Sequence, residues 1–316
     1  MTDFSRQILY TKIPPKSTIY GYFLKFIGFA IKSFMSIGIF RLLSKGLLFD
    51  NTYIGGAFMV VKFYHSGVVD KKSSNQKNDR YKTKHKRKLI INQISYLNEY
   101  DEVCTTENGY FWGEWEAESV CNKQDGFYVH KIKYPSKVTF NKNPASCGCC
   151  GAGNKKPLNT DPYVFGEYFI YSNCKQGRYE KLKELNENDL IISGSHKNNA
   201  FILDTVFVVD KKIDLNDCSK CFMSATGDLI IDGDFTVYKG KTFNDGKNMF
   251  SFFPCSTKPF KRPEVEIKGT NDVQKQGVAY VSKANSKKVW EHIKSQVINQ
   301  DCMLGIYAKE PKENGK

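Results

Sequence analysis

No stretch of the first 58 residues supplies the roughly 18 to 20 uninterrupted apolar residues that a membrane-crossing helix needs. Residues 19 to 49 are rich in Phe, Ile and Leu, but Lys25, Lys32, Arg41 and Lys45 break the run, and its longest charge-free stretch is Ser33 to Phe40. A membrane partner is therefore not expected, with an interfacial helix as the alternative, because Lys25, Lys32 and Ser36 recur at about helical spacing. A Gly-rich phosphate loop of the Walker or dinucleotide type is missing, as is any repeat of about 20 to 50 residues. Acidic residues are in short supply: 33 Asp and Glu face 47 Lys and Arg, a net charge of +14, and a field of that sign attracts polyanions. With no secretory leader read and ten irregularly spaced cysteines, a cytoplasmic chain of reduced thiols is expected.

What is present points to strands. Apolar residues make up 41% of the chain, enough for a real core, and aromatic residues reach 14%, mostly Phe and Tyr among β-branched neighbours. The basic excess is concentrated: residues 70 to 89 hold Lys71, Lys72, Lys77, Arg80, Lys82, Lys84, Lys86, Arg87 and Lys88 against Asp70 and Asp79. Such a run is either a solvated loop or a phosphate-contacting arm. Ile54-Gly55-Gly56-Ala57-Phe58-Met59 can be encoded with a purine-rich ribosome-binding element ahead of a start codon, so translation is expected to begin at Met59 and residues 1–58 to be translated leader.

Val60 to His65 reads as a first strand, closed by a Ser66-Gly67 turn. In His85 to Leu97, Ile90, Ile94 and Leu97 fall at i, i+4, i+7; this spacing favours a helix, although Leu89-Ile90-Ile91 would also suit a buried strand. Tyr110 to Val120 is expected as a strand with Tyr110, Trp112, Glu114 and Glu116 on one face and Phe111, Gly113 and Trp115 on the other. Residues 144 to 163 read as a loop. Tyr163 to Tyr171, Asp189 to Ser193 and Ala200 to Lys211 are strand candidates, and Arg178 to Leu185 a short helix. Alternation in the last strand puts Asp204 on an apolar face with Ile202, Val206 and Val208, opposite Phe201, Leu203, Thr205 and Phe207. Phe235 to Lys239 and Met249 to Cys255 are expected to form a hairpin around Asn244-Asp245-Gly246. Gly277 to Val281 and Met303 to Ala308 close the fold on either side of a helix from Ser286 to Gln300. The expected class is α+β, with a curved, mainly antiparallel sheet and a few flanking helices. The expected organisation is a segment 1–58, a core 59–266 with its basic loop 70–89, and a strand-helix-strand element 267–316 packing on that core.

The run Leu185-Asn186-Glu187-Asn188-Asp189-Leu190-Ile191-Ile192-Ser193-Gly194-Ser195 with Phe201 to Val209 resembles a PUA-like barrel of the EVE and ASCH kind. Phe63-Tyr64-His65-Ser66-Gly67, His85-Lys86-Arg87-Lys88, Phe111-Trp112-Gly113-Glu114-Trp115-Glu116, Thr160-Asp161-Pro162-Tyr163-Val164-Phe165-Gly166, Tyr171-Ser172-Asn173-Cys174-Lys175-Gln176 and Leu203-Asp204-Thr205-Val206 together resemble an uncharacterised bacterial family, across most of residues 59 to 266. The resemblance implies a PUA-like scaffold used on nucleic acid or modified nucleotides, similar to nucleotide-modification-associated domains. Its charged motifs would then line a pocket that holds a base between aromatic faces and reads its edge. Tyr110, Trp112 and Trp115 would supply faces, Glu114, Asn173 and Asp204 edge readers, and Glu116, Tyr171 and Thr205 the remaining lining. Lys84, Lys86, Arg87 and Lys88 would contact phosphates.

An enzymatic alternative uses the same positions. Glu114 and Asp204 would be acid and base for a nucleotide or nucleic-acid bond, or Cys174 a nucleophile with His65 or His85 as its base. A further alternative is a non-catalytic interaction or defence protein whose basic face binds an acidic partner. No cofactor is expected; Cys218-Ser219-Lys220-Cys221 with Cys147 and Cys149 could complete a tetrahedral zinc site, and ordinary thiols are the simpler reading.

Overall fold

A computed structural model describes residues 59–65, 87–135, 158–197, 200–231, 234–246, 248–267, 277–281 and 285–313. The readings of residues 1–58 as leader or interfacial helix lie outside these, as do residues 70–86 of the basic stretch 70–89 and residues 144–157 of the loop 144–163.

The described residues are an α+β fold dominated by two mixed sheets. The members of one are β1 (Val60–His65), β6 (Ile170–Tyr171), β7 (Leu190–Lys197), β8 (Ala200–Lys212), β9 (Tyr238–Gly240), β11 (Glu264–Val265) and β12 (Gly277–Val281). Their order is β12-β1-β7-β8-β9-β6, with β11 also on β8. The other has the order β13-β10-β3-β2-β5-β4, built from β2 (Arg87–Leu97), β3 (Val103–Glu114), β4 (Ser119–Gln124), β5 (Phe127–Ile132), β10 (Phe253–Ser256) and β13 (Met303–Ala308). Strand β13 also pairs with β2, so β2, β3, β10 and β13 form a closed circuit of pairings. The pairs β1–β7 and β2–β5 are parallel and the others antiparallel.

The main core contains Phe63, Phe111, Trp115, Phe165, Tyr171, Phe207 and Phe253. A second gathers Val60, Leu190, Ile192, Val206, Val208 and Phe252 against the helix Ser286–Ile298, which buries Trp290, Ile293 and Val297. Each of these three side chains contributes roughly 1.5 to 3 kcal/mol on burial. Asn285 caps that helix by accepting from the Lys288 N–H at 3.1 Å. No helix among the described residues is long and apolar enough to cross a membrane. The strands on either side of this helix go to different sheets, β12 to β1 and β13 to β2 and β10.

Four expectations are corrected. Residues 87–97 are strand β2, not helix. Ile90 and Ile94 share a face under either period, but Leu97 enters the second core while they enter the first, as alternation requires and a helical stripe does not. Tyr163 to Tyr171 is not one strand: Tyr163 bridges Ile170 across a tight loop, and only Ile170–Tyr171 extends. Phe235 to Lys239 and Met249 to Cys255 are not a hairpin, since β9 pairs with β6 and β8 while β10 pairs with β3 and β13. The expected helix at Arg178 to Leu185 is reduced to a 3₁₀ turn, Glu180–Lys183.

Candidate functional site

The candidate site is assembled by one ladder pair and one bulge. Arg87 opens β2 directly opposite Glu114, the last residue of β3. Its Nη1 donates to Glu114 Oε2 at 2.6 Å, a cross-strand ion pair with both side chains buried. Asp204 comes from the other sheet. Between Ser193↔Thr205 and Gly194↔Leu203 the β7–β8 register shifts, so that Asp204 is an extra residue on β8. A bulge of this kind re-aims a side chain. Here it breaks the expected alternation: Leu203 joins Val206 and Val208 in the second core, and Asp204 turns to Arg87.

Arg87 Nε lies 2.7 Å from Asp204 Oδ2, but its N–H points off the oxygen, making an ion pair without an aligned hydrogen bond. Arg87 Nη2 has no hydrogen-bond partner among the described residues. Burial works against the guanidinium's charge, yet Glu114 and Asp204 outweigh it and hold its pKa above the ordinary value. Asp204 Oδ1 accepts from Arg262 Nη1 at 3.0 Å, and the Arg262 guanidinium lies 5.7 Å over the Trp112 ring. Trp112 Nε1 donates to the Phe260 carbonyl at 2.8 Å, tying the chain before β11 to the indole.

A second carboxylate organises the neighbouring loop. Asp161 accepts from the backbone N–H groups of Ser172 at 3.0 Å, Asn173 at 2.8 Å and Cys174 at 2.6 Å. Burial pushes its pKa up to about 6 against these three bonds, and the charge of Glu114 adds to the rise. Cys174 feels Asp161, Glu114 and Arg87, so this loop lies within electrostatic reach of the ion-pair cluster. Burial first, then those two acids, pushes the Cys174 thiol well up, and it does not present a thiolate at neutral pH.

Trp112, Glu114 and Asp204 therefore meet, with the Asn173 loop beside them. They form a buried cluster rather than line an open hollow: Arg87, Asp204, Glu114 and Trp112 are 1%, 2%, 5% and 7% exposed. An open hollow of about 410 Å³ lies elsewhere, against Trp290 and Lys294 of the long helix. Tyr110 packs with Trp112 in a small apolar cluster. Trp115 is on the opposite face, inside the main core against Phe165. Glu116 accepts from the Asn159 N–H at 2.9 Å. Tyr171 stacks on Tyr238 and donates to the Cys174 carbonyl at 2.8 Å, and Thr205 is buried opposite Ser193. The Asn173 amide donates to Ser172 Oγ at 3.3 Å.

Arg87 and Lys88 do not belong to a solvated arm. Arg87 is ion-paired as above, and Lys88 donates to Ser119 Oγ at 3.1 Å inside the β2–β5 region, because β2 begins at these residues and draws them out of water. Lys84, Lys86, Cys147 and Cys149 lie outside the described residues, as does the side chain of His65, whose backbone ends β1 opposite Ser195. Burial pushes the Cys218 thiol up to about 11 and the Cys221 thiol up to about 12. No group of three metal-ligating side chains occurs among the described residues.

Two members of the site were given no role by the sequence. Arg262 carries no pattern that separates it from other basic residues in a chain of this charge. Asp161 stands in one of the quoted motifs, and its place before a proline, a turn-initiating pair, is the signal for its loop-organising role. Compared with known proteins, the chain matches no family model, no curated protein and no solved structure.

Proposed function

We propose that this chain binds a nucleotide or nucleic acid, a PUA-like barrel holding a base at the Arg87 cluster while the basic stretch that runs into β2, with Lys84 and Lys86, takes phosphates. The closed pairing of β2, β3, β10 and β13 supports the barrel part of this reading. The observation that carries it is an indole covered by Arg262 and joined through Asp204 to Arg87 and Glu114, four charges with their side chains nine-tenths or more buried. Packing accounts poorly for that arrangement. Withdrawing each ion from water costs several kcal/mol, and apolar residues of similar volume would fold as well or better. Such a cost is characteristic of a site that must recognise something.

The carboxylate acid–base reading has less support, because each Asp204 oxygen faces a guanidinium and Glu114 Oε2 accepts from Arg87. The test is titration of labelled single-stranded DNA and RNA at several salt concentrations. Affinity should fall with a log–log slope of about −0.7 per phosphate contact, and Trp112→Ala should cost roughly 1 to 3 kcal/mol if one base stacks there. Absent or salt-indifferent binding overturns the proposal.

A further inference from the structure

Resting on the nucleic-acid reading, we infer that a single strand runs over the surface made by the turn 175–179, the 3₁₀ turn Glu180–Lys183 and β12. Lys175, Arg178 and Lys181 take its phosphates, and Tyr280 stacks on one of its bases. These three cations have no acidic partner among the described residues, whereas Lys183 on the same run lies between Glu180 at 3.2 Å and Asp234 at 3.0 Å. Glu184 is the other acid of the run, so the surface carries a basic surplus.

The backbone beneath this surface is pinned. Gln176, with no exposure, donates to the Ser172 and Thr236 carbonyls at 2.7 and 2.8 Å and accepts from the Thr236 N–H at 2.8 Å. Asp161 holds the amides of Ser172, Asn173 and Cys174, so the candidate site and this turn share one stretch of chain. Cations presented from a fixed backbone lose less freedom when they meet a ligand. Lys175 itself stands at φ +69. The other non-glycine residues at positive φ among the described ones are Asp101, Asp125, Asn188 and Asp301, types whose short polar side chains tolerate that conformation. Lysine has no such reason to be there, and a residue held against its preference is characteristic of a functional position.

Rings complete the surface. Tyr280, on β12, is 36% exposed, and the Lys181 Nζ lies 5.7 Å from the centre of its ring. Tyr179 stands against the start of β12, where a Cβ on Gly277 would come within 2.8 Å of its hydroxyl. A single strand alternates phosphates with flat faces, and cations set among rings are complementary to both.

The experiment titrates the native full chain with labelled single-stranded DNA and RNA at several salt concentrations. It is repeated on the combined variant Lys175→Gln, Arg178→Gln, Lys181→Gln, and on a control of equal charge, Lys123→Gln, Lys131→Gln, Lys133→Gln, around β4 and β5 of the other sheet. The first variant should show a log–log slope shallower by about 2, at about 0.7 per lost phosphate contact, and the control should keep the native slope. Tyr280→Ala should weaken binding about fivefold or more with the slope intact, as loss of one stacked base does. An unchanged slope in the first variant, an equal change in the control, or no effect of Tyr280→Ala overturns this inference and leaves nucleic-acid binding standing. Failure of the native chain to bind either oligonucleotide overturns both. If Lys175→Gln does not fold, Lys175→Gly, which suits the left-handed φ, takes its place.

Discussion

Asp204 reaches Arg87 because Gly194 across the ladder has no side chain. At the register shift between β7 and β8, a Cβ on Gly194 would lie 2.3 Å from the Ile202 carbonyl oxygen and 2.6 Å from the Phe201 ring. The bulge that turns the carboxylate toward the other sheet thus depends on a missing methyl group.

Gly194→Ala should therefore destabilise the protein by about 1 to 3 kcal/mol, the usual cost of overpacking a filled core. Gly246→Ala is the control, since nothing lies within 4 Å of a Cβ there, and it should stay within about 0.5 kcal/mol of the parent. Urea midpoints at constant m-value separate the two; equal midpoints would refute the account of the bulge.

Removing one partner from the buried pair should cost more than removing both. Glu114→Gln leaves Arg87 buried with its charge less well compensated and is expected to lose about 3 kcal/mol. Combining Arg87→Met with Glu114→Leu and Asp204→Asn, so that no carboxylate loses its Arg87 partner, should regain part of that loss, because well-packed replacements of buried ion pairs are commonly neutral or better. A combined variant less stable than Glu114→Gln alone would show that the ion pairs of Arg87 are a net source of stability.

Asp161 gives a pH signature. Its folded pKa is raised from the ordinary 3.8 to about 6, chiefly by burial, so the folded state binds the proton more tightly than the unfolded chain does. The associated stabilisation is full below about pH 4 and is lost as pH rises through about 6, a change of about 3 kcal/mol. Unfolding midpoints between pH 4 and 7 should show this fall in the parent and a flatter profile in Asp161→Asn. A parent whose stability instead rises over that range would mean that the three backbone N–H bonds to Asp161 prevail over its desolvation.

Trp112 can report on its own site. With Trp115→Phe and Trp290→Phe in place, it is the remaining tryptophan of three. Stacking of a base should quench its emission, and the quenching should follow the binding curve of a labelled oligonucleotide. Binding that leaves the emission unchanged would place the ligand elsewhere on the chain.

Much of the scaffold could be read from local pattern. β1 and the closing strands are contiguous runs whose character is set within six residues, and the C-terminal helix combines a cap at Asn285 with an apolar stripe. Alternation along β3 correctly parted Tyr110 and Trp112 from Phe111 and Trp115. Tertiary structure decided the cases where two periods coincide or where alternation is interrupted. Ile90 and Ile94 suit helix and strand alike, and pairing to β3, β5 and β13 made the choice. Leu203 was read on the face opposite Val206 and Val208, with which it packs, because the bulge at Asp204 depends on the partner strand, about which local spacing carries no information. The junction of Arg87 with Asp204 and Arg262 was likewise invisible in the order of residues. Composition supplied the charges, but which of them share a dry interior is fixed by how the two sheets bring distant segments together, since only there does the loss of water make each pairing matter.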